Sequence, residues 1–349
     1  VLQPIRRVLA LLLLAVMCGY GCKPSASAGD KPQPPAVVRL GYFANVTHAQ
    51  AVLGVESGAF ASAVAPAKFE SRIFNAGPSL IEALFAGQID VGYIGPGPAL
   101  NGFDKSQGDG LRVISGGAAN GVLIVARPGS GIRTLADLKS RNLATPQYGN
   151  TQDLAARAYL RTVLGQSSLD DVKPVPNAEQ LGQLSRGQID AAWAPEPWGS
   201  YLMLEGGATL VAREEDLWSQ GNFATTVVIS TPEFLAKHPD VVERLLKVHV
   251  DLTESLASES SRQLPALKVA LFKLTNKQLP TGVLESAIRN VSFTTDPLPH
   301  TFDRMADWSY DLKFSRQRTD LKALFDLRAL QKLQALPASA PASKRRLDD

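Results

Sequence analysis

Three short polar segments hold the residue types and spacings that could do chemistry: Asn45-Val46-Thr47-His48, Ala76-Gly77-Pro78-Ser79 and Asn150-Thr151-Gln152-Asp153. Each stands at a strand-to-helix turn or at a helix start. Asn and Thr side-chain oxygens accept the orphan N–H bonds of a helix's first turn. The free N–H groups there also sit at the positive end of the helix dipole. The chemistry on offer is hydrogen-bond donation to a small ligand, and Gly77 and Gly149 permit close backbone approach. Plain capping by Asn45 and Thr47 is compatible with ligand contact, and Gly77-Pro78-Ser79 also suits an ordinary helix start.

Other chemistries are excluded by residue type. Of 349 residues only Cys18 and Cys22 are Cys. The body therefore has no thiol nucleophile, disulfide framework or Cys-based metal site. His48, His238, His249 and His300 are dispersed, without ligand spacing. No nucleophile elbow, zincin helix, phosphate-binding loop or dinucleotide glycine fingerprint is present. We expect no catalytic residue, no metal, no cofactor and no enzymatic activity. The 36 Lys plus Arg nearly balance 33 Asp plus Glu, a net +3, which argues against a nucleic-acid binder.

The elements that position these segments follow from an internal repeat. SLIEALFAGQIDVGYIGPGP (79–98) and EQLGQLSRGQIDAAWAPEPW (179–198) share a Leu, a Gly-Gln-Ile-Asp, an aromatic at Tyr93 and Trp193, and a Pro-x-Pro. Each copy reads as a helix, a left-handed Gly cap at Gly87 or Gly187, a short buried strand and a Pro loop. Asp90 and Asp190 recur together, which points to a shared structural role. Upstream, 37–42 and 143–145 read as strands, 49–60 and 153–164 as helices. In α/β sheets such strand–loop–helix units place ligands at the strand's carboxyl end. The length suits about two domains. We expect lobe 1 at 38–126 and 228–336, lobe 2 at 127–227, two crossings acting as a hinge, and extra C-terminal helices packed on lobe 1.

Residues 1–22 read as an export signal. Arg6 and Arg7 precede an apolar run from Val8 to Met17 that is too short to span a bilayer. Gly21-Cys22 then fits a lipoprotein cleavage site with Cys22 as the lipidated residue, although Gly19 stands where Leu is usual. Ordinary cleavage without lipid is the alternative. Residues 23–37 are a Pro/Ala/Ser linker and 337–349 a disordered tail by composition.

The motifs Leu40–Ala49, Phe74–Ser79, Gly87–Asp90 with Tyr93–Pro96, Ala144–Asp153 and Trp193–Trp198 resemble the periplasmic solute-binding proteins of ABC importers. The similarity is to the nitrate/sulfonate/taurine group, and within it to the aliphatic sulfonate-binding branch, over about residues 37–330. It implies the two-lobed, twice-crossed α/β fold (type II, Venus flytrap). It also implies capture of a small organic anion on the extracytoplasmic side, and delivery to a membrane permease and its ATPase subunit. A monomer held to the membrane only by its lipid anchor is expected. Taurine, nitrate or a vitamin precursor on the same scaffold, or a metabolic enzyme of this fold, are the alternatives.

On this reading the ligand lies between the lobes. Its contacts are Asn45, Thr47, His48, Gly77, Pro78, Ser79, Gly95, Pro96, Gly149, Asn150, Thr151, Gln152, Trp193, Glu196 and Trp198. The Trp rings cover the organic part, and Glu196 meets an amine on a zwitterion. Trp193, at Tyr93's position in the repeat, equally suits a core ring. His48 beside a cap equally suits a structural role, Gly95-Pro96 equally ends a strand, and Glu196 equally pairs within the protein or faces solvent.

Overall fold

The computed structural model describes residues 35–335, which fall within one compact unit. The export signal 1–22, Cys22, nearly all of the linker 23–37 and the tail 337–349 lie outside the described residues.

The chain begins with β1 (Val37–Phe43), α1 (Ala49–Glu56), α2 (Ala59–Val64), β2 (Lys68–Phe74), α3 (Gly77–Phe85), β3 (Val91–Ile94), α4 (Pro96–Lys105) and β4 (Arg112–Asn120). It continues through β5 (Val122–Ala126), β6 (Leu143–Thr145), α5 (Thr151–Ala158), β7 (Val172–Pro174), α6 (Asn177–Ser185), β8 (Ala191–Pro195), α7 (Trp198–Gly206) and β9 (Thr209–Arg213). It returns through β10 (Ala224–Ser230), α8 (Pro232–Lys237), α9 (Pro239–Thr275), α10 (Thr281–Asn290), β11 (Val291–Phe293), α11 (Pro299–Asp311) and α12 (Arg328–Gln334).

The strands form a six-stranded sheet, β11-β4-β10-β3-β1-β2, and a five-stranded sheet, β7-β6-β8-β5-β9. The repeat is visible in their order. The parallel trio β2-β1-β3 matches β7-β6-β8, and each trio is followed by an antiparallel strand, β10 beside β3 and β5 beside β8. Both copies end their helix the same way. Gly87 (φ 65°) and Gly187 (φ 68°) adopt the left-handed conformation, and Gln88 and Gln188 donate back to Ala83 and Gln183, a Schellman closure. Asp90 then accepts the Arg39 backbone N–H at 2.7 Å and pairs with the Arg39 side chain at 3.4 Å. Asp190 accepts the Asn142 N–H at 3.2 Å and pairs with Arg127 at 3.1 Å. The repeated Asp fastens the start of the neighbouring parallel strand.

The antiparallel strands move the expected boundaries. Val122–Ala126, assigned by pattern to lobe 1, pairs with β8 and β9 in the second sheet. β10, whose first residues were assigned to lobe 2, lies in the first sheet. Both are buried along their whole length, and a strand buried on both faces suits the middle of either sheet and names no partner. The chain therefore crosses between lobes at Asn120–Val122 and again between Arg213 and Ala224.

Further differences are local. Gly58 (φ 73°) breaks the expected helix over 49–60 into α1 and α2, and a π-helical turn at Tyr159–Val163 ends α5 early. Pro96-Gly97-Pro98 is the first turn of α4 rather than a loop. There a missing N–H costs nothing and a fixed φ fits. The C-terminal helices divide their packing: α9 lies on α1 and α2, α10 on α7, and α11 on both α4 and α5. Buried Phe302 and Met305 of α11 join a core cluster that includes Phe103 of lobe 1 and Trp193 of lobe 2. Full burial of such side chains contributes about 1.5–3 kcal/mol each. No helix among the described residues is long and apolar enough to cross a membrane.

Candidate functional site

Five helix starts converge between the two sheets: the 3-10 turn Val46–His48 that leads into α1, then α3, α4, α5 and α6. Between them is a pocket with about 20 Å³ of free volume. Phe43, Asn45, Thr47, His48, Asn75, Ala76, Gly77, Gly95, Pro98 and, at the start of β10, Thr225 line it from the first lobe. Pro146, Asn150, Thr151, Gln152, Asn177 and Pro195 line it from the second. Of the five starts only α5 has a side-chain cap, Asn150 Oδ1 accepting from Asp153 N at 2.8 Å. First-turn N–H groups need partners; the N-cap residues of the other four supply none, and α4 alone among these receives one from across the boundary, Thr151.

Most side-chain acceptors of the lining are engaged within the protein. Trp198 Nε1–H can only donate, and it points at Asn45 Oδ1, 2.8 Å away, so Asn45 keeps its NH2 as the unused group. Asn150 must turn its oxygen to the Asp153 N–H. Its NH2 therefore donates to Gln152 Oε1 at 2.9 Å, which leaves the Gln152 NH2. The Phe43 N–H points at His48 Nδ1 at 3.4 Å, so the neutral ring carries its proton on Nε2. Burial pushes the His48 pKa down to about 3, so the imidazole is uncharged at neutral pH. Thr151 Oγ1 accepts from Gly97 N at 3.2 Å and keeps its own proton to donate. Gln180 donates to Asn177 Oδ1 at 3.4 Å, again leaving an NH2. No Asp, Glu, Lys or Arg lines the pocket, and no group of three or more His, Cys, Asp or Glu among the described residues could hold a metal ion.

The lobes meet tightly here. A side chain at Gly95 would place Cβ 2.2 Å from Thr151 Oγ1, so only Gly allows that approach. The backbone of Val46 donates to Glu196 O at 3.1 Å across the same boundary.

The structure brings together Asn45, Thr47, His48, Gly77, Gly95, Asn150, Thr151 and Gln152. Pro78 and Gly149 line a neighbouring apolar groove instead. Ser79 turns its hydroxyl back to Ala76 O at 3.1 Å, and Pro96 is buried in the first turn of α4. Trp193 is fully buried and donates to Glu214 Oε2 at 2.6 Å, a core ring and not a cleft wall. Trp198 is also buried, and its indole serves as the Asn45 strut. Glu196 is buried without a cationic partner. Its carboxyl accepts from Ser200 N at 3.0 Å, Ser200 Oγ at 2.7 Å and Asn290 Nδ2 at 2.6 Å. Burial pushes its pKa up. Trp193 lies within β8 and turns into the core, and the β8–α7 turn aims Glu196 and Trp198 at the lobe boundary. Asn177 and Thr225 were missed. Asn177 opens α6 in the second repeat, so the repeat itself was the available signal, since the matching α3 start was already a candidate.

The comparisons with known proteins bear on the family and the fold. A binding protein of Brucella abortus (strain 2308) is 28% identical over 218 residues, 61% of this chain and 64% of the relative. The chain thus matches somewhat under two thirds of that relative's length. The alkanesulfonate-binding protein SsuA of Xanthomonas axonopodis pv. citri, solved bound to MOPS, superposes with a TM-score of 0.66. It is 26% identical, over 82% of this chain and 96% of that one. The desulfurization enzyme DSZB shares the fold alone, at 17% identity and a TM-score of 0.59, over 85% of this chain and 98% of that one. The two-sheet α/β architecture is that of two-lobed periplasmic binding proteins. The model of the NMT1-like family matches residues 31–269, and the chain belongs to that family.

Proposed function

We propose that this chain is an extracytoplasmic solute-binding protein that captures a small organic anion, an aliphatic sulfonate, between its lobes. The observation that carries the reading is the excess of unused donors in the pocket. The oxygens of Asn45, Asn150 and Gln152 and the Nδ1 of His48 are consumed within the protein. What remains is mainly donors, together with helix starts whose N-cap residues do not cap them. A sulfonate has three acceptor oxygens and no proton at neutral pH. Charge-assisted hydrogen bonds contribute about 1.5–3 kcal/mol each, so a few of these donors support binding without a buried Arg. A hydrogen phosphate would bring an O–H into a lining where most side-chain acceptors are already engaged, the kind of mismatch that a polar site disfavours.

Ligand binds one lobe, and closure about the crossings at 120–122 and 213–224 adds donors from the other and excludes water. The SsuA likeness supports the sulfonate class. Delivery to an ABC permease and its ATPase, export through the leader and anchoring at Cys22 complete the proposal. Binding without turnover is supported by the lining, whose single titratable group, His48, already has Nδ1 engaged. Both Cys lie in the leader.

The test is a thermal-shift screen of the purified chain against alkanesulfonates, taurine, sulfate, nitrate and phosphate. Ligand at about 100 times its Kd stabilises the fold by about 2.7 kcal/mol. Alkanesulfonates are expected to raise the melting temperature and phosphate to leave it unchanged. Thr47→Val and Thr151→Val are each expected to weaken alkanesulfonate binding about tenfold or more. Unchanged affinity in both variants would remove the pocket from the proposal.

A further inference from the structure

The pocket has room for a charged head and nothing more. Its free volume of about 20 Å³ compares with the ~10–15 Å³ that one water needs. An organic tail must leave it, and neither Trp of the β8–α7 region receives the tail, since both are buried and their Nε1 groups are engaged.

Beside the pocket lies a groove of about 420 Å³. Pro98 lines both spaces. At two other points pocket and groove are one residue apart: Gly77 lines the pocket and Pro78 the groove, Asn150 the pocket and Gly149 the groove. The groove's walls are mainly apolar, formed by Ile81, Phe85, Pro98, Tyr148 and Phe314, with Glu82, Asn101, Lys105 and Ser106 also in the lining. Phe85 is 45% and Tyr148 57% exposed, so two large rings are left uncovered on one surface. Tyr148 and Phe314 are 5.2 Å apart between ring centroids. Arg157, paired with Asp153 at 2.9 Å, lies over the Tyr148 ring at 5.0 Å and holds it in place.

We infer that this groove is the tail subsite, and that the solute is an anion carrying a bulky apolar or aromatic group. The inference rests on the anion reading of the pocket. The head sits among the donors, the tail passes Pro98, and its rings or chain cover Phe85, Tyr148 and Phe314. Because α3 and α4 belong to the first lobe and Tyr148 to the second, the tail touches both and its burial favours the closed arrangement.

Calorimetric titration of the full chain with methanesulfonate and naphthalene-2-sulfonate separates head from tail. The aromatic sulfonate is expected to bind at least about tenfold more tightly, from the apolar area it buries. Tyr148→Ser and Phe314→Ser are each expected to weaken naphthalene-2-sulfonate about tenfold and to leave methanesulfonate unchanged, which also reports that the variants are folded. Equal affinity of the wild-type chain for the two sulfonates, or losses that fall on both alike, would overturn the groove and leave the pocket standing. Failure of the wild-type chain to bind either one would overturn the anion reading and the groove with it.

Discussion

Tyr93 in the first lobe and Trp193 in the second occupy the same place in the repeat, and both are buried. Each carries one polar atom into the core, but their partners differ. Tyr93 Oη meets His249 Nδ1 at 2.9 Å, and His249 Nε2 reaches Gly116 O at 2.8 Å. Trp193 Nε1 donates to Glu214 Oε2 at 2.6 Å, and Trp218 Nε1 approaches the other oxygen at 3.4 Å. A phenol donates or accepts and so tolerates an imidazole; an indole only donates and needs an acceptor. Both partners come from outside the repeat, His249 from α9 and Glu214 from the crossover after β9. The repeated frame thus sets where a polar atom is buried, and the non-repeated chain supplies what satisfies it.

The comparison is most forcefully broken by removing the rings. Trp193→Ala is expected to cost about 3–5 kcal/mol from the lost ring and cavity, and it also leaves Glu214 short of a donor. Tyr93→Phe keeps the ring and is expected to cost about 1–3 kcal/mol by leaving His249 unsatisfied. Urea-unfolding midpoints at pH 7 check both. A Trp193→Ala protein as stable as the parent would mean that this ring is not a core element.

The two partners oppose each other in pH. Burial pushes Glu214 from 4.5 up to about 8, so between these values the fold holds a proton that the unfolded chain has released. Its contribution therefore falls as pH rises through that window, by at most about 1.4 kcal/mol per unit. Burial pushes His249 from 6.5 down to about 4, so below pH 6.5 the unfolded chain takes up a proton that the fold refuses. Its contribution falls as pH drops, with the same limiting slope. Glu214→Gln is expected to flatten the alkaline decline up to pH 8, and His249→Gln the acidic decline between 6.5 and 4, in unfolding curves recorded from pH 4 to 9. Identical profiles in parent and variant would show that the group does not titrate with folding.

The smallest effect sharpens the likeness of the copies. Arg39→Ala and Arg127→Ala each remove one partly exposed ion pair from the matching Asp, so each is expected to cost under about 1 kcal/mol, and by similar amounts. The backbone N–H bonds to Asp90 and Asp190 remain. A large loss in one variant alone would show that the two Asp clamps differ.

Much of this frame was legible in the residues. Gly-Gln-Ile-Asp announced the helix end, the Schellman turn and the strand in both copies, because left-handed Gly and alternating burial are local properties. Asn45, Thr47, Asn150, Thr151 and Gln152 were legible for the same reason, as polar residues at helix starts. The residues least decided by local pattern are those whose neighbours lie far along the chain. Val122–Ala126 is apolar throughout, which fits the middle of either sheet. Trp193, Glu196 and Trp198 lie next to the pocket in sequence, yet Trp193 faces Glu214 from within β8 and the turn that follows sends Glu196 and Trp198 to Asn290 and Asn45. Phe314 stands outside every motif and reaches the groove only because α11 packs on α4 and α5.

The sequence by itself determined the α/β repeat, its caps and the polar helix starts, since backbone preference and spacing need only near neighbours. The tertiary structure alone decided which atoms of those polar residues were left over. An amide or imidazole can present a donor or an acceptor, and the choice here was made by Trp198, Asp153 and Phe43, whose N–H groups must be received. It likewise decided that the pocket opens onto an apolar groove, because that wall is assembled from both lobes and a C-terminal segment that no local pattern connects.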